Sequence, residues 1–208
     1  MRIDPAGWPF IGGAFVLAVI AAFAVNSVAG AALLVLAGLF LFFFRDPDRV
    51  VTQAANAVLS PADGRVLVAG APTGQEFSAG SWQQISIFLS PMDVHVNRLP
   101  VSGRVTKVRY HPGRFLPAYR PGAGDLNEYT EVWIDHGGQP IVVRQIVGVL
   151  ARRIVCRAQE GDQVAAGDRF GVMKFGSRMD VFVPAGAEIT VTVGDRVVGA
   201  VTVIAVLV

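Results

Sequence analysis

"TEVWIDHGGQPIVVRQIVGVL", residues 130–150, places two strand-like runs on either side of Gly137-Gly138. Val, Ile, Thr and Trp favour extended chain, because a branched or aromatic side chain packs well on a pleated surface. Adjacent glycines favour a turn. The same texture continues outward in "GRVLVAG" (64–70), "SWQQISIFL" (81–89), "GRVTKVRY" (103–110), "MDVFVP" (179–184) and "AEITVTVGDRVVGAVTVIAV" (187–206). Many short strands at close spacing, without a βαβ rhythm, predict a mainly β domain, a sandwich or partly closed barrel. Only "GVLARRIVCRA", 148–158, is long enough for a helix, and its pattern does not decide between helix and strand. "GDQVAAGDRF", 161–170, puts glycines at two tight turns, and the chain shows no strict internal repeat.

The 208 residues are 52% hydrophobic with a mean hydropathy of +0.49, which points to membrane contact. The formal charge is only +2, and no Lys/Arg-rich run is interleaved with aromatics, so nucleic acid is not an expected partner. Cys156, the single cysteine, cannot form an internal disulfide and reads as a packed thiol.

From Trp8 to Phe44 there is no charged residue, and Asn26-Ser27 divides this run into two apolar stretches. Each, at about 17 residues and 1.5 Å per residue, would form a helix of about 26 Å, at the short end for crossing a bilayer. The reading is a helical membrane hairpin over residues 1–49, followed by a β-rich domain over 50–208. A cleaved signal peptide is the rival, disfavoured by the second apolar stretch and an n-region with Arg2 alone. Arg2, Arg45 and Arg49 flank the hairpin at its outer ends. By the positive-inside rule both ends, and the domain that follows, would lie on the cytoplasmic side of the cell membrane.

"VMKFGSRMDVFVP", 172–184, holds two candidate reactive centres. Lys174 in its Met-Lys pair suggests a biotinyl or lipoyl carrier domain modified at that lysine. The four residues between Asp168 and Met173 make the hairpin too short to present Lys174 in the usual way. Gly176-Ser177 suggests self-cleavage: glycine tolerates strained turns, and a serine hydroxyl can attack the preceding carbonyl to give an ester. Elimination and hydrolysis then leave a pyruvoyl group, a ketone able to act as an electron sink in amine chemistry. In a third reading Gly-Ser is only a turn in a non-enzymatic membrane protein.

Four stretches make the chain resemble the phosphatidylserine decarboxylase family, most closely its short branch. They are "FFFRDPDR" (42–49), "SPADGRV" (60–66), "FLSPMDVHVNRLPVSGRV" (88–105) and "KFGSRMDVFVP" (174–184), in the family's order and over nearly the whole chain. The resemblance implies self-cleavage at Gly176-Ser177, giving a β chain of 1–176 and an α chain of 177–208 that stay together. It also implies conversion of Ser177 to the pyruvoyl cofactor, with no metal. Phosphatidylserine would form a Schiff base with that group, lose CO2 and leave as phosphatidylethanolamine. The family's aspartate in Pro-Ala-Asp-Gly matches Asp63, and its histidine after Ser-Pro-x-Asp matches His95.

These residue types suit the chemistry. Ser177 needs a proton acceptor, for which a carboxylate-oriented imidazole is the usual solution, and decarboxylation needs an acid at the α carbon. Alternation in "DVHVNRL" predicts Asp93, His95 and Asn97 on one polar face that could border a pocket. One departure stands out. The long bacterial branch has a second histidine where this chain has Arg98, and Leu-Gly-Ser-Thr where it has Phe-Gly-Ser-Arg. An arginine cannot accept the proton, which leaves His95, with His111 in reserve and His136 read as a turn residue. The loop 111–129 is either a solvated connector or a functional loop. In the second case Arg114 and Arg120 would pair with the lipid phosphate, and Phe115, Leu116 and Tyr119 would touch the acyl chains or the membrane interface.

Overall fold

In the computed structural model the whole chain is described except residues 55, 75, 76, 78–80, 150–152 and 175. It divides into two compact units, Met1–Asp48 and Arg49–Val208.

The first unit is a helical hairpin. Helix α1 spans Trp8–Ala24 and α2 spans Ser27–Phe43. The break falls at Asn26 because its side chain caps α2, accepting from Ala29 N at 2.9 Å and satisfying a backbone donor the helix cannot. Gly30 lets the helices touch: a Cβ there would lie 2.6 Å from Ala22 Cβ. The open ends are tied by an antiparallel pairing of Arg2–Ile3 with Arg45–Asp46 and by the N-terminal amine on Asp48 at 3.1 Å. Apolar side chains such as Phe15, Phe23 and Val28 stay exposed, and Pro5–Ala24 is long and apolar enough to cross a membrane.

The second unit is mainly β. An eight-stranded antiparallel sheet runs in the order Gln163–Val164, Gly103–His111, Tyr129–His136, Gln139–Ile146, Ser177–Pro184, Trp82–Leu89, Gly64–Gly70, Arg196–Val197. Two three-stranded sheets, built around Arg169–Met173 and Val203–Val206, complete it. Residues from all three sheets share one core, in which Ile85, Ile87, Val132, Val143, Met179 and Val181 meet Val58, Phe170, Met173 and Ile204. This is the sandwich-like architecture expected. The ambiguous 148–158 stretch ends in a strand, Ile154–Cys156, paired with Gly171–Met173; its residues 150–152 lie outside the described residues.

A duplication that the sequence reading did not find organises this unit. Residues 59–66 and 98–105 make matching hydrogen bonds: Arg98 N donates to Pro61 O and Leu59 N to Pro100 O, both at 2.8 Å. Gly199 N donates to Asp63 Oδ1 at 2.8 Å, and Ala166 N to Ser102 Oγ at 2.9 Å. At Gly64 a Cβ would sit 2.2 Å from Phe88 O, and at Gly103 2.2 Å from Asp135 O, so both turns require glycine. The pairs 57–59 with 203–206 and 96–98 with 169–172 even carry the same register shift. Met173 N donates to His95 O as Leu207 N donates to Asn56 O, making His95 the counterpart of Asn56.

Much of the loop 112–128 is exposed, but it is anchored to the domain. Asn127, almost fully buried, holds it by accepting from Leu116 N at 2.9 Å and donating to Leu116 O at 2.8 Å and Val147 O at 2.9 Å. A short helix, Ala123–Leu126, lies so close to Arg178 and Asp180 that a Cβ at Gly124 would come within 3.1 Å of Asp180 Oδ2.

Candidate active site

Ser177 opens the central strand of the large sheet, opposite Leu89. Alternation sends Ser177, Met179 and Val181 toward the core and Arg178 and Asp180 to the other face. Ser177 is fully buried, and its Oγ has no hydrogen-bond partner among the described residues. A buried hydroxyl left without a partner costs free energy, on the order of 1–3 kcal/mol, and such groups are rare in folded proteins.

Gly176 precedes it with φ of +70°, in the left-handed region that glycine alone enters without strain. The Gly176 N–H donates to His95 Nε2 at 3.4 Å. On the other side of the ring, His95 Nδ1 lies 2.9 Å from the Asp93 carbonyl oxygen. A carbonyl only accepts, so Nδ1 carries the proton and Nε2 presents its lone pair to the Gly176-Ser177 segment. Asp93 itself is fixed in a turn, accepting from Ser90 N at 2.8 Å. His95 and Asn97 are fully buried, and the flanking Val94 and Val96 are buried as well.

The carbonyl of Gly176, the carbon that Ser177 would attack, is packed against a residue the sequence reading passed over. A Cβ on Gly148 would stand 2.1 Å from Gly176 O, so only glycine fits there. Asn127 was also missed. An unexplained Gly after a strand and an Asn closing a long loop were the available signals.

Asp63 sits in the turn before Gly64–Gly70. Its oxygens accept from Arg49 at 2.7 Å and from Gly199 N at 2.8 Å. No hydrogen bond described for it reaches His95. It is joined to the histidine's segment through Pro61, whose carbonyl takes Arg98 N. Arg98 is buried and donates to Gly167 O at 3.1 Å, which makes it a structural residue. His111 stacks on Tyr129 at 4.3 Å, and His136 Nδ1 meets Ser102 O; neither borders Gly176. Lys174 is half-buried where the chain passes from one sheet to another, not at a hairpin tip.

A pocket of about 200 Å³ opens beside Gly176, lined by Phe88, Pro91, Pro117, Ala118, Tyr119 and Val149. Tyr119 also borders a second pocket of about 300 Å³, with Arg120 and Arg178. Tyr119 stands edge-on to Phe88 at 5.7 Å. Arg114 and Phe115 are exposed and line neither pocket; Arg114 forms a main-chain bridge with Asn127.

Fold and site define a β-sandwich domain with a partly buried Gly-Ser turn resting on a histidine. A sequence model of the family described as phosphatidylserine decarboxylase matches residues 36–205. A phosphatidylserine decarboxylase proenzyme of Symbiobacterium thermophilum is 45% identical over 199 residues, covering 95% of this chain and 92% of the relative. The protein of that name in Nitrosomonas europaea is 42% identical over 200 residues, covering 96% and 92%. In Anaplasma phagocytophilum it is 45% identical over 207 residues, covering 98% and 90%. The chain belongs to the phosphatidylserine decarboxylase family.

Proposed function

We propose that the chain decarboxylates phosphatidylserine to phosphatidylethanolamine, using a pyruvoyl group that Ser177 becomes when the chain cuts itself at Gly176-Ser177. The observation that carries this is the buried Ser177 Oγ, unpartnered among the described residues, beside a glycine in left-handed conformation. His95 Nε2, set as acceptor by its Nδ1 bond, takes the Ser177 proton as Oγ adds to the Gly176 carbonyl carbon. The C–N bond breaks, the proton goes to the leaving nitrogen, and an ester joins the two segments. Loss of the Ser177 α proton breaks the Cβ–O bond. Residues 1–176 then end in a carboxylate, and an enamine is left that gains water and releases ammonia. Proximity alone favours this route, since hydroxyl and carbonyl belong to neighbouring residues in a fixed turn.

Once formed, the ketone supplies a site for the substrate amine and a sink for the electrons left by departing CO2. The chain's own residues do the rest. The pocket of Phe88, Pro91, Pro117, Ala118, Tyr119 and Val149 excludes water from the headgroup end. His95 returns a proton at the α carbon. Asp63 acts as a positioning residue, locking the turn whose Pro61 carbonyl holds the strand after His95. Arg120 and Tyr119 face the headgroup, and Arg114 and Phe115 meet the lipid interface at the exposed loop. The two segments, 1–176 and 177–208, remain one heterodimer because Ser177–Pro184 is hydrogen-bonded on both sides within the sheet. The hairpin holds the domain at the cytoplasmic face of the cell membrane, where the lipid substrate lies.

Intact-mass measurement of the purified chain tests this. Two species are expected, 1–176 and 177–208, the second with a blocked terminus that reacts with a hydrazide. The Ser177→Ala chain should run as one species and convert no lipid; a Ser177→Ala chain that still splits overturns the reading.

A further inference from the structure

Arg178, the residue that sets "FGSR" apart, is not absorbed by the cleavage chemistry. Its side chain is 5% exposed, on the sheet face opposite Ser177 Oγ. Nε donates to Asp180 Oδ1 at 2.6 Å, and Nη2 to Asp180 Oδ2 at 3.0 Å and Ser86 Oγ at 2.9 Å. Asp180 is held in turn by Gln84 Nε2 at 2.9 Å, and the Gln84 oxygen takes Thr73 N at 2.7 Å. The guanidinium is therefore oriented by a chain of buried polar groups, while its Nη1 has no hydrogen-bond partner among the described residues. Arg178 also lines the pocket of about 300 Å³ with Arg120 and Thr73. No ion pair is described for the Arg120 guanidinium among those residues.

We propose that this pocket seats the phosphodiester of the substrate headgroup, with Arg178 as its fixed donor and Arg120 as its mobile one. The inference rests on the decarboxylase reading and names the part of the substrate this pocket takes. Two arginines at one cavity are the donor set for a tetrahedral anion, since their planar forks offer parallel N–H groups. Tyr119 forms a wall of both pockets, so a ligand with its amine beside Gly176 reaches Arg178 by passing that ring. The phosphodiester lies only a few bonds from the amine. The carboxylate is the wrong occupant: it leaves as neutral CO2, and a cation fixed on it would stabilise the ground state more than the transition state. The phosphate keeps its charge throughout, so holding it positions the headgroup without opposing the reaction.

The test uses the full Ser177→Ala chain in detergent micelles, which cannot process itself, so it reads binding and not turnover. Calorimetric titration with glycerophosphoserine should show binding that inorganic phosphate competes away and free serine does not. Adding Arg178→Lys should raise the dissociation constant about tenfold, because a point charge replaces an oriented fork. Adding Arg120→Gln should raise it about threefold. Unchanged affinity in both variants, or competition by serine and not phosphate, overturns the proposal, as does binding of inorganic phosphate without binding of glycerophosphoserine. Should Arg178→Lys lose its cooperative thermal transition, the exposed Arg120→Gln variant decides alone. Cleavage of the wild-type chain is scored separately by mass, so failure of the decarboxylase reading is seen independently.

Discussion

The two matching halves of the β domain differ in one place that matters. In the half containing Asn56 and Asp63, the last strand ends at Val206, and Leu207 N donates to Asn56 O at 2.8 Å. In the half containing His95 and Ser102, the equivalent strand ends at Met173, and the chain continues through Gly176 into the Ser177–Pro184 strand. The same backbone frame thus holds an asparagine in one half and, in the other, a histidine whose ring meets the Gly176 N–H. The turn residues diverge as well. Asp63 and Ser102 both accept a backbone N–H, but the carboxylate has a second oxygen, which takes Arg49 at 2.7 Å. The two halves share a frame and differ in a few residues set on it.

The largest effect is expected from making the halves alike at their most divergent point. His95→Asn installs the counterpart residue, so the chain should fold, while cleavage slows by about 10²–10⁴-fold, the usual worth of a general base. Time courses of the 177–208 fragment on a denaturing gel measure it, and wild-type kinetics would remove His95 from the mechanism. Next comes Gly148→Ala, whose methyl would have to displace the Gly176 carbonyl from 2.1 Å. Cleavage should slow at least about tenfold and stability fall by about 1–3 kcal/mol through overpacking, read as fragment yield and denaturation midpoint.

Asp63→Ser copies the other half's turn. It keeps the bond to Gly199 and removes the pair with Arg49, which is largely but not fully buried. A stability loss of about 1 kcal/mol and a few-fold slower cleavage are expected. A loss as deep as that of His95→Asn would instead make Asp63 a direct partner of the imidazole. The smallest effect concerns Cys156, paired in its strand with Gly171. Burial pushes its thiol up, outweighing a backbone hydrogen bond from Ala158 and the charge of Arg157. With less thiolate at pH 8, alkylation by iodoacetamide should be slower than for a free cysteine, and denaturant should abolish the difference.

Much of this was legible in the chain. Apolar length and an Asn-Ser break gave the hairpin; β-branched runs between glycines gave the sheet; Ser-Pro-Ala-Asp-Gly, the His95 segment and Gly-Ser gave the family. These are local signals, set by backbone propensity and by the chemistry of single side chains. The role of Asn127 was not legible, because it is defined by contacts with Leu116 and Val147 rather than by its neighbours in sequence. Nor was that of Gly148, whose meaning is the nearness of a carbonyl 28 positions away. The duplication was written in "SPADGRV" and "LPVSGRV", yet only the reciprocal bonds at Pro61 and Pro100 make it a symmetry.

By itself, then, the sequence determined a β-rich domain behind an apolar hairpin, and a serine that follows a glycine within reach of its carbonyl. Only the tertiary structure decided that this serine is buried with its Oγ unpartnered among the described residues, that His95 Nε2 meets the Gly176 N–H, and that Asp63 binds Arg49 and Gly199. The physical reason is that these arrangements depend on which hydrogen bonds a buried group finds or is denied. That is fixed by the packing of distant segments.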